Sequence, residues 1–494
     1  MENRFNLVDE PWIPVAGKGL ASLSGIFSDH SFSGLGGNPV QKIALTKLLL
    51  AIVQAAYTPK DDDDWNKLGV SGMARKALDY LKSKKELFWL YGDKPFLQMP
   101  EISKAEIATF GGVQPYVATG NTTVLTQVQI ENQLTDAEKA VLVVQLMGFG
   151  LGGKKTDNSV ILSRGYLGKT NLTRKPTTGK PGPALGYLGF LHSFVHGTSL
   201  QESLWLNMLT LDNVKEIKVF SAGLGTAPWE NMPAGEICTI AKDLKESYFG
   251  RLIPISRFIL LSEKGLHYSE GIAHPGYADG VVDPSVAADF SGSKAKVIWV
   301  DPSRRPWRQL TALLSFFESG EKGLFDCLQL RVGILRIKTM LNGFKFRIWS
   351  GGLRVSSNAG EQYVSGLNDF VESEVRLDSA SMGDIWFANL KKEMSELENI
   401  SKITYSATMS FFKSQKVDGR DQAAQASNLF WQFCEIKFQQ LVNACNGSDE
   451  DVKKLRHVFA GFVNKAYNAY CQKDTARQLD AWAANQPGLS KYLS

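Results

Sequence analysis

Paired cysteines, membrane-length apolar runs and the short motifs of the large enzyme families are all missing from this sequence. No window reaches the roughly 18 uninterrupted apolar residues of a membrane span. The best run, "IALTKLLLAIVQAAY" at 43–57, is too short and contains Lys47. The start, "MENRFNLVDEPW", is acidic and polar, unlike a signal peptide. A cytoplasmic protein with no membrane partner is expected. The five cysteines, Cys238, Cys327, Cys434, Cys445 and Cys471, form no C-x-x-C pair and read as free thiols. His192 and His196 are spaced for one helix face, but no H-E-x-x-H glutamate lies between them, so neither metal nor cofactor is expected. "GFGLGG" contains Gly148, Gly150 and Gly153 in a G-x-G-x-x-G pattern, but it follows a helix instead of a strand and fails as a dinucleotide fingerprint. No phosphate loop and no G-x-S-x-G elbow is present. Glu372 and Glu374 alternate along a strand, which suits a solvent face. These absences favour a binding protein over an enzyme.

What is present is an ordinary globular composition, 44% hydrophobic and 21% charged over 494 residues, enough for a large core and roughly two to four domains. The net charge of +5 is unevenly spread. Lys154, Lys155, Arg164, Lys169, Arg174, Lys175 and Lys180 face only Asp157 between residues 152 and 180, a local +6. "KAKVIWVDPSRRPWR" at 294–308 sets five cations against Asp301. Clustered positive charge with interleaved aromatics is the footprint of a polyanion binder.

The patterning implies an α+β fold: a large mixed N-terminal globular domain over 1–377, then an antiparallel four-helix bundle over 378–494. Helices are expected at 40–57, 71–90, 135–150, with Thr135 and Glu138 as a capping box, 199–211 and 307–317. Short strands are expected from 250 to 300, at "LQLRVGILRI" (328–337), "KFRIWSGGLRV" (345–355) and "VESEVRL" (371–377). The four bundle helices are marked by Ile385 to Leu397, by Met409, Phe411 and Phe412, by Leu429 to Leu441, and by Val452 to Tyr467, with Ser448 as an N-cap.

Two stretches ask for a function. In "GKPGPALGYLG" (179–189) the glycines let backbone approach a ligand closely, and Lys175 and Lys180 supply charge. "SGGLRVSSNAGEQYVSGLNDF" (350–370) reads as a protruding, amide-rich hairpin.

Several pieces, in order, resemble one family. "FNLVDEPWIPV", "KPFLQ" (94–98), "ATGNTTVLTQ" (118–127), the glycine loop followed by "FVHGTSLQESLWLNML" (194–209), and "WSGGLRVSSNAGEQYVSG" are similar to the large subunit (CasA family) of the type I-E CRISPR Cascade surveillance complex. The resemblance implies a non-enzymatic role in antiviral defence. Such a subunit reads the protospacer-adjacent motif (PAM) in double-stranded target DNA, helps open the duplex for guide RNA pairing and R-loop formation, and recruits a helicase–nuclease. Its partners are the DNA, the guide RNA and the other Cascade subunits. The family's N-terminal PAM loop corresponds to Gly120, Asn121, Val124, Leu125, Thr126 and Gln127, with Thr126 where some relatives carry an aromatic. The glycine loop corresponds to Gly182, Gly186 and Gly189, backed by Lys154, Lys155, Lys169, Arg174, Lys175 and Lys180 as DNA contacts. A minor-groove lysine of relatives falls near His274, and Asn358, Gln362 and Asn368 are the amides available for a strand-separating wedge. Two other classes compete: a metal-dependent nucleic-acid-processing enzyme, and a purely structural scaffold subunit of a ribonucleoprotein.

Overall fold

The computed structural model describes residues 2–114, 133–151, 156–157, 189–274, 283–318, 324–341, 343–358, 361–364 and 369–493. The chain divides into two compact units. The first comprises Met1–Trp307, Gly320–Asn342 and Phe346–Glu374; the second comprises Arg308–Ser319, Gly343–Lys345 and Val375–Ser494.

The first unit is built around α1 (Pro39–Ala56). Asn38 and Gln41 form a reciprocal capping box, and Pro39 occupies the first helical position, where its missing N–H costs nothing. The helix has 18 residues and is apolar enough by length and composition to cross a membrane. It lies within one residue of the helix expected at 40–57, and it is a core helix: Leu45, Leu48, Leu49, Leu50, Ala51 and Ile52 are all fully buried. Next comes α2 (Asp62–Ser83), whose first turn carries Asp62, Asp63 and Asp64 behind the N-cap Asp61, where the helix dipole favours negative charge. In α3 (Asp136–Gly148) Thr135 and Glu138 make the expected capping box.

Small sheets surround these helices. His192–His196 forms β1, so His192 and His196 lie on a strand and not on a helix. Strands β2 (Arg257–Leu261) and β3 (Leu266–Glu270) form an antiparallel hairpin, and β4 (Ala288–Asp289) pairs with β5 (Lys296–Val297). The segment read as a strand at 328–337 is instead the helix α4 (Leu328–Met340). Its alternating apolar residues also satisfy a helical stripe, in which Leu330, Ile334 and Ile337 are fully buried. Gly333 sits where a Cβ would lie 3.0 Å from Val195 Cγ2, so the helix packs closely on β1. The unit takes in β6 (Lys345–Leu353) from Phe346 on, antiparallel to β1, then the hairpin β7 (Ser356–Asn358) and β8 (Glu361–Tyr363), and, on the other edge of β6, β9 (Phe370–Asp378) as far as Glu374.

In the second unit the four expected helices are differently divided. The first two stretches lie on one 31-residue helix, α5 (Asp384–Ser414). The polar residues between them do not break it: Thr404 and Thr408 are buried, and each hydroxyl donates to the carbonyl one turn earlier. Helices α6 (Arg420–Ala444) and α7 (Asp449–Tyr470) follow, the latter capped by Ser448. Trp386 Nε1 donates to Val442 O at 3.0 Å and the Ser401 and Ser427 hydroxyls meet at 2.8 Å, which sets α5 and α6 antiparallel. Two short helices, α8 (Ala476–Ala484) and α9 (Ser490–Leu493), complete the unit. Tyr467 OH donates to Trp482 O at 3.1 Å. Among the described residues the C-terminal part of the unit, 375–493, therefore has three long helices and two short ones.

Candidate nucleic-acid interface

Most of the residues singled out above lie outside the described set: Gly120, Asn121, Val124, Leu125, Thr126, Gln127, Lys154, Lys155, Lys169, Arg174, Lys175, Lys180, Gly182, Gly186 and Asn368. Gly189, His274 and the backbones of Asn358 and Gln362 are described.

His274 departs from its expected role. Its side chain is buried, with Nε2 2.7 Å from Pro254 O and Nδ1 2.9 Å from Arg251 Nη1. The carbonyl can only accept and the guanidinium can only donate, so the ring is neutral with its proton on Nε2. Burial, then the Arg251 charge, push its pKa down to about 3. A buried ring with both nitrogens engaged does not present itself to a DNA groove. Nearby, Lys47 donates to Asp283 at 2.6 Å and to Arg251 O at 2.9 Å. Burial works to raise the Asp283 carboxyl, but the charges of Lys47 and His192 and the hydrogen bonds from Lys47 and Ser285 together outweigh it and hold the pKa at about 2.

The glycine-rich turn after α3 is also structural. Arg257 is fully buried; its Nη1 donates to Glu270 at 2.9 Å and to Ser256 O at 2.7 Å, and its Nη2 donates to Leu151 O at 2.7 Å. A Cβ at Gly150 would lie 2.9 Å from the guanidinium carbon, so this glycine makes room for a buried cation, not for a dinucleotide. Glu372 and Glu374 do not form a free solvent face either. Glu372 accepts from Lys42 Nζ and, at 2.6 Å, from Trp349 Nε1, while Glu374 lies 3.1 Å from His196 Nδ1.

Three of the sequence signals do meet. Gly189, where the glycine stretch ends, has φ +71°, and a Cβ there would stand 2.7 Å from Leu353 O and 2.9 Å from Val355 N. The chain therefore passes directly against the root of the β7–β8 hairpin. The next residue, Phe190, bridges Trp299 in antiparallel register, and Val300 N donates to Gly189 O at 2.8 Å. Trp299 belongs to the second basic cluster; around it Lys294, Lys296, Arg304 and Arg305 are exposed. In the hairpin Ser356 pairs with Tyr363, Ser357 with Gln362, and Asn358 with Glu361. Only two residues separate the last partners, so Asn358 sits beside the tip and Gln362 one pair behind it. The same pairing sets Glu361 across from Asn358, so the tip carries a carboxylate residue and is not wholly neutral. The exposed Trp299 was not singled out from sequence. Its place inside a run of five cations was the available signal, but its exposure is a tertiary property.

Among the described residues no cluster of three or more His, Cys, Asp and Glu side chains is placed to hold a metal ion. The cysteines described as free are Cys238, Cys327, Cys434, Cys445 and Cys471, all but Cys238 buried.

A mixed unit of small sheets on core helices, followed by a unit of long helices, is the fold of a known class of CRISPR protein. The crystal structure of CasA from Thermus thermophilus matches with a TM-score of 0.73 at 19% identity over 99% of both chains. Thermobifida fusca Cse1 matches with a TM-score of 0.74 at 17% identity, over 99% of this chain and 98% of that one. A curated "CRISPR-associated protein CasA/Cse1" of Thermus thermophilus is 30% identical over 175 residues, 31% of this chain and 34% of the relative, so that alignment spans about a third of the relative's length. The family described as "CRISPR-associated protein Cse1" matches residues 6–470. The chain belongs to this Cse1 (CasA) family, the large subunit of the type I-E CRISPR Cascade.

Proposed function

We propose that this subunit reads the PAM in double-stranded DNA, helps part the duplex beside it for guide pairing, and recruits the helicase–nuclease, without a catalytic site of its own. The observation that carries the reading is the convergence at Gly189. The end of the glycine stretch, the root of the β7–β8 hairpin and the exposed basic segment at 294–305 lie side by side. The resemblance adds residues 120–127 as the PAM loop, and Lys154, Lys155, Lys169, Arg174, Lys175 and Lys180 as phosphate contacts; Gly182 and Gly186 then approach the backbone.

The energetics are balanced. Parting one base step costs a few kcal/mol. Each good base contact returns about 1–3 kcal/mol of discrimination, and minor-groove reading is degenerate, so several PAMs are tolerated. After that, guide pairing is a near-even exchange of one duplex for another. An amide suits the wedge because it fills the space of a base without desolvating a charge. Asn358, beside the tip, stands ahead of Gln362, one pair behind it, and Asn368 is the third candidate.

The test is binding of the assembled complex to duplexes that differ only at the PAM. Equal affinity for all of them overturns the reading. Replacing Asn358, Gln362 and Asn368 by Ala spares PAM binding and slows strand opening; unchanged opening removes the wedge role.

A further inference from the structure

Trp299 is 41% exposed, yet its indole is held in place. One side rests on the buried Phe190 ring, centroids 4.8 Å apart and planes tilted by 33°. The backbone is pinned on both sides of it: Leu191 N donates to Ile298 O at 3.0 Å and Val300 N to Gly189 O at 2.8 Å. A second aromatic, Phe290, is 44% exposed just beyond the β4–β5 ladder, in which Asp289 pairs with Lys296. Lys294, Lys296, Arg304 and Arg305 are exposed around the two rings. The acids of the stretch are engaged locally. Asp289 is buried and accepts from Ser291 N, and Asp301 accepts from the Ser303 N–H and hydroxyl.

A supported ring with an open face, set among cations, is the pairing of features that holds single strands. Bases stack on the ring whatever their identity, and the cations track the phosphates. Duplex DNA offers no free base face to such a ring, so the surface selects unpaired strand. We propose that the ribbon from Phe290 to Arg305 is a single-strand platform, with Trp299 stacking a base of the DNA strand displaced from the target duplex. The inference rests on the duplex-opening reading above and deepens it. Position fits the role. Gly189, paired to Val300, abuts Leu353 and Val355 at the hairpin root. From Leu353 to Asn358 the chain spans about 17 Å if extended, close to five base rises of about 3.4 Å. The platform thus stands within a few nucleotides of the parting point, where a freed strand first needs a partner.

The experiment titrates the full chain with fluorescein-labelled oligothymidine, and the assembled complex with duplexes differing at the PAM. Trp299→Ala weakens oligothymidine binding by roughly 5- to 150-fold, the effect of losing one base–aromatic stack. Trp299→Phe recovers most of the loss. Neutralising Lys294, Lys296 and Arg305 together flattens the salt dependence of log affinity by about 2, at roughly 0.7 per phosphate contact on a single strand. PAM discrimination by the complex stays unchanged in the Trp299 variants. Oligothymidine affinity that is immeasurable for the wild-type chain, or equal in wild type and Trp299→Ala, overturns the platform. Loss of PAM discrimination in the wild-type complex overturns the reading of the previous section instead, and leaves the dependence on Trp299 standing as its own result.

Discussion

The two units solve the same problem, satisfying buried backbone, by opposite means. The helical unit is made of α5, α6 and α7, which are 31, 25 and 22 residues long, so nearly every carbonyl finds its partner within its own helix. Its interior can then be apolar: Leu390, Phe430, Val463 and Tyr467 are all fully buried. The mixed unit sets strands of two to nine residues and many short helices around a few longer ones, and the many element ends leave carbonyls without regular partners. Buried cations meet them. Arg257 serves Ser256 O and Leu151 O, Arg336 serves Met208 O, and Lys47 serves Arg251 O. Each cation also has a carboxylate: Glu270, Asp62 and Asp283 respectively. An irregular backbone is stabilised by ionic clamps on its carbonyls; in the regular unit the buried ion pair, Glu393 with Arg456 at 2.6 Å, joins α5 to α7 instead.

The sharpest way to break this contrast is Arg257→Met. It leaves Glu270 buried and uncompensated along with the carbonyls that Arg257 served, and is expected to cost about 3–5 kcal/mol in urea denaturation. A loss below about 1 kcal/mol, no more than an exposed ion pair is worth, would show that the clamp is ornamental. In the helical unit the comparable loss comes from volume: Leu390→Ala is expected to cost about 2–5 kcal/mol, scaling with the cavity left behind. Acid separates the units next. His274 is held neutral with a pKa near 3, against an unfolded value of about 6.5. The unfolded chain therefore binds the proton first, and stability present above about pH 6.5 is lost as pH falls from there towards 3. The slope is about 1.4 kcal/mol per pH unit at most. Hydrogen exchange should show the mixed unit loosening first, and His274→Gln should flatten that loss. The smallest effect is expected from Ser448→Ala, which removes the N-cap of α7 and costs about 1 kcal/mol, visible as fraying of its first turn.

Legibility in the sequence followed a different divide, between local and distant determinants. Features written into consecutive residues were readable: the Thr135–Glu138 capping box, the Ser448 cap and the β6 strand all stand where they were expected. What failed depended on distant chain. In α4 the alternation of Leu328, Leu330, Val332 and Ile334 fits a short strand as well as a 13-residue helix, and contact with β1 decides between them. The split of α5 was misread because buried threonines look like a connector until their hydroxyls are seen to bond along the helix. His274 looked like a groove reader because burial and the Arg251 contact leave no trace in local sequence. Of the interface, the basic cluster and the hairpin were legible as segments, while their meeting at Gly189 was not.

The β7–β8 ladder also limits how this subunit can diversify. Because neighbouring residues in a strand point to opposite sides, inserting one residue ahead of Asn358 would exchange the two faces of everything beyond it. Reach can therefore be tuned only in steps of two residues per strand, about 6.6 Å each. Under the wedge reading proposed above, relatives that open a deeper or shallower stretch are expected to carry fingers differing by an even number of residues on each strand, a length that changes in notches and not along a continuum.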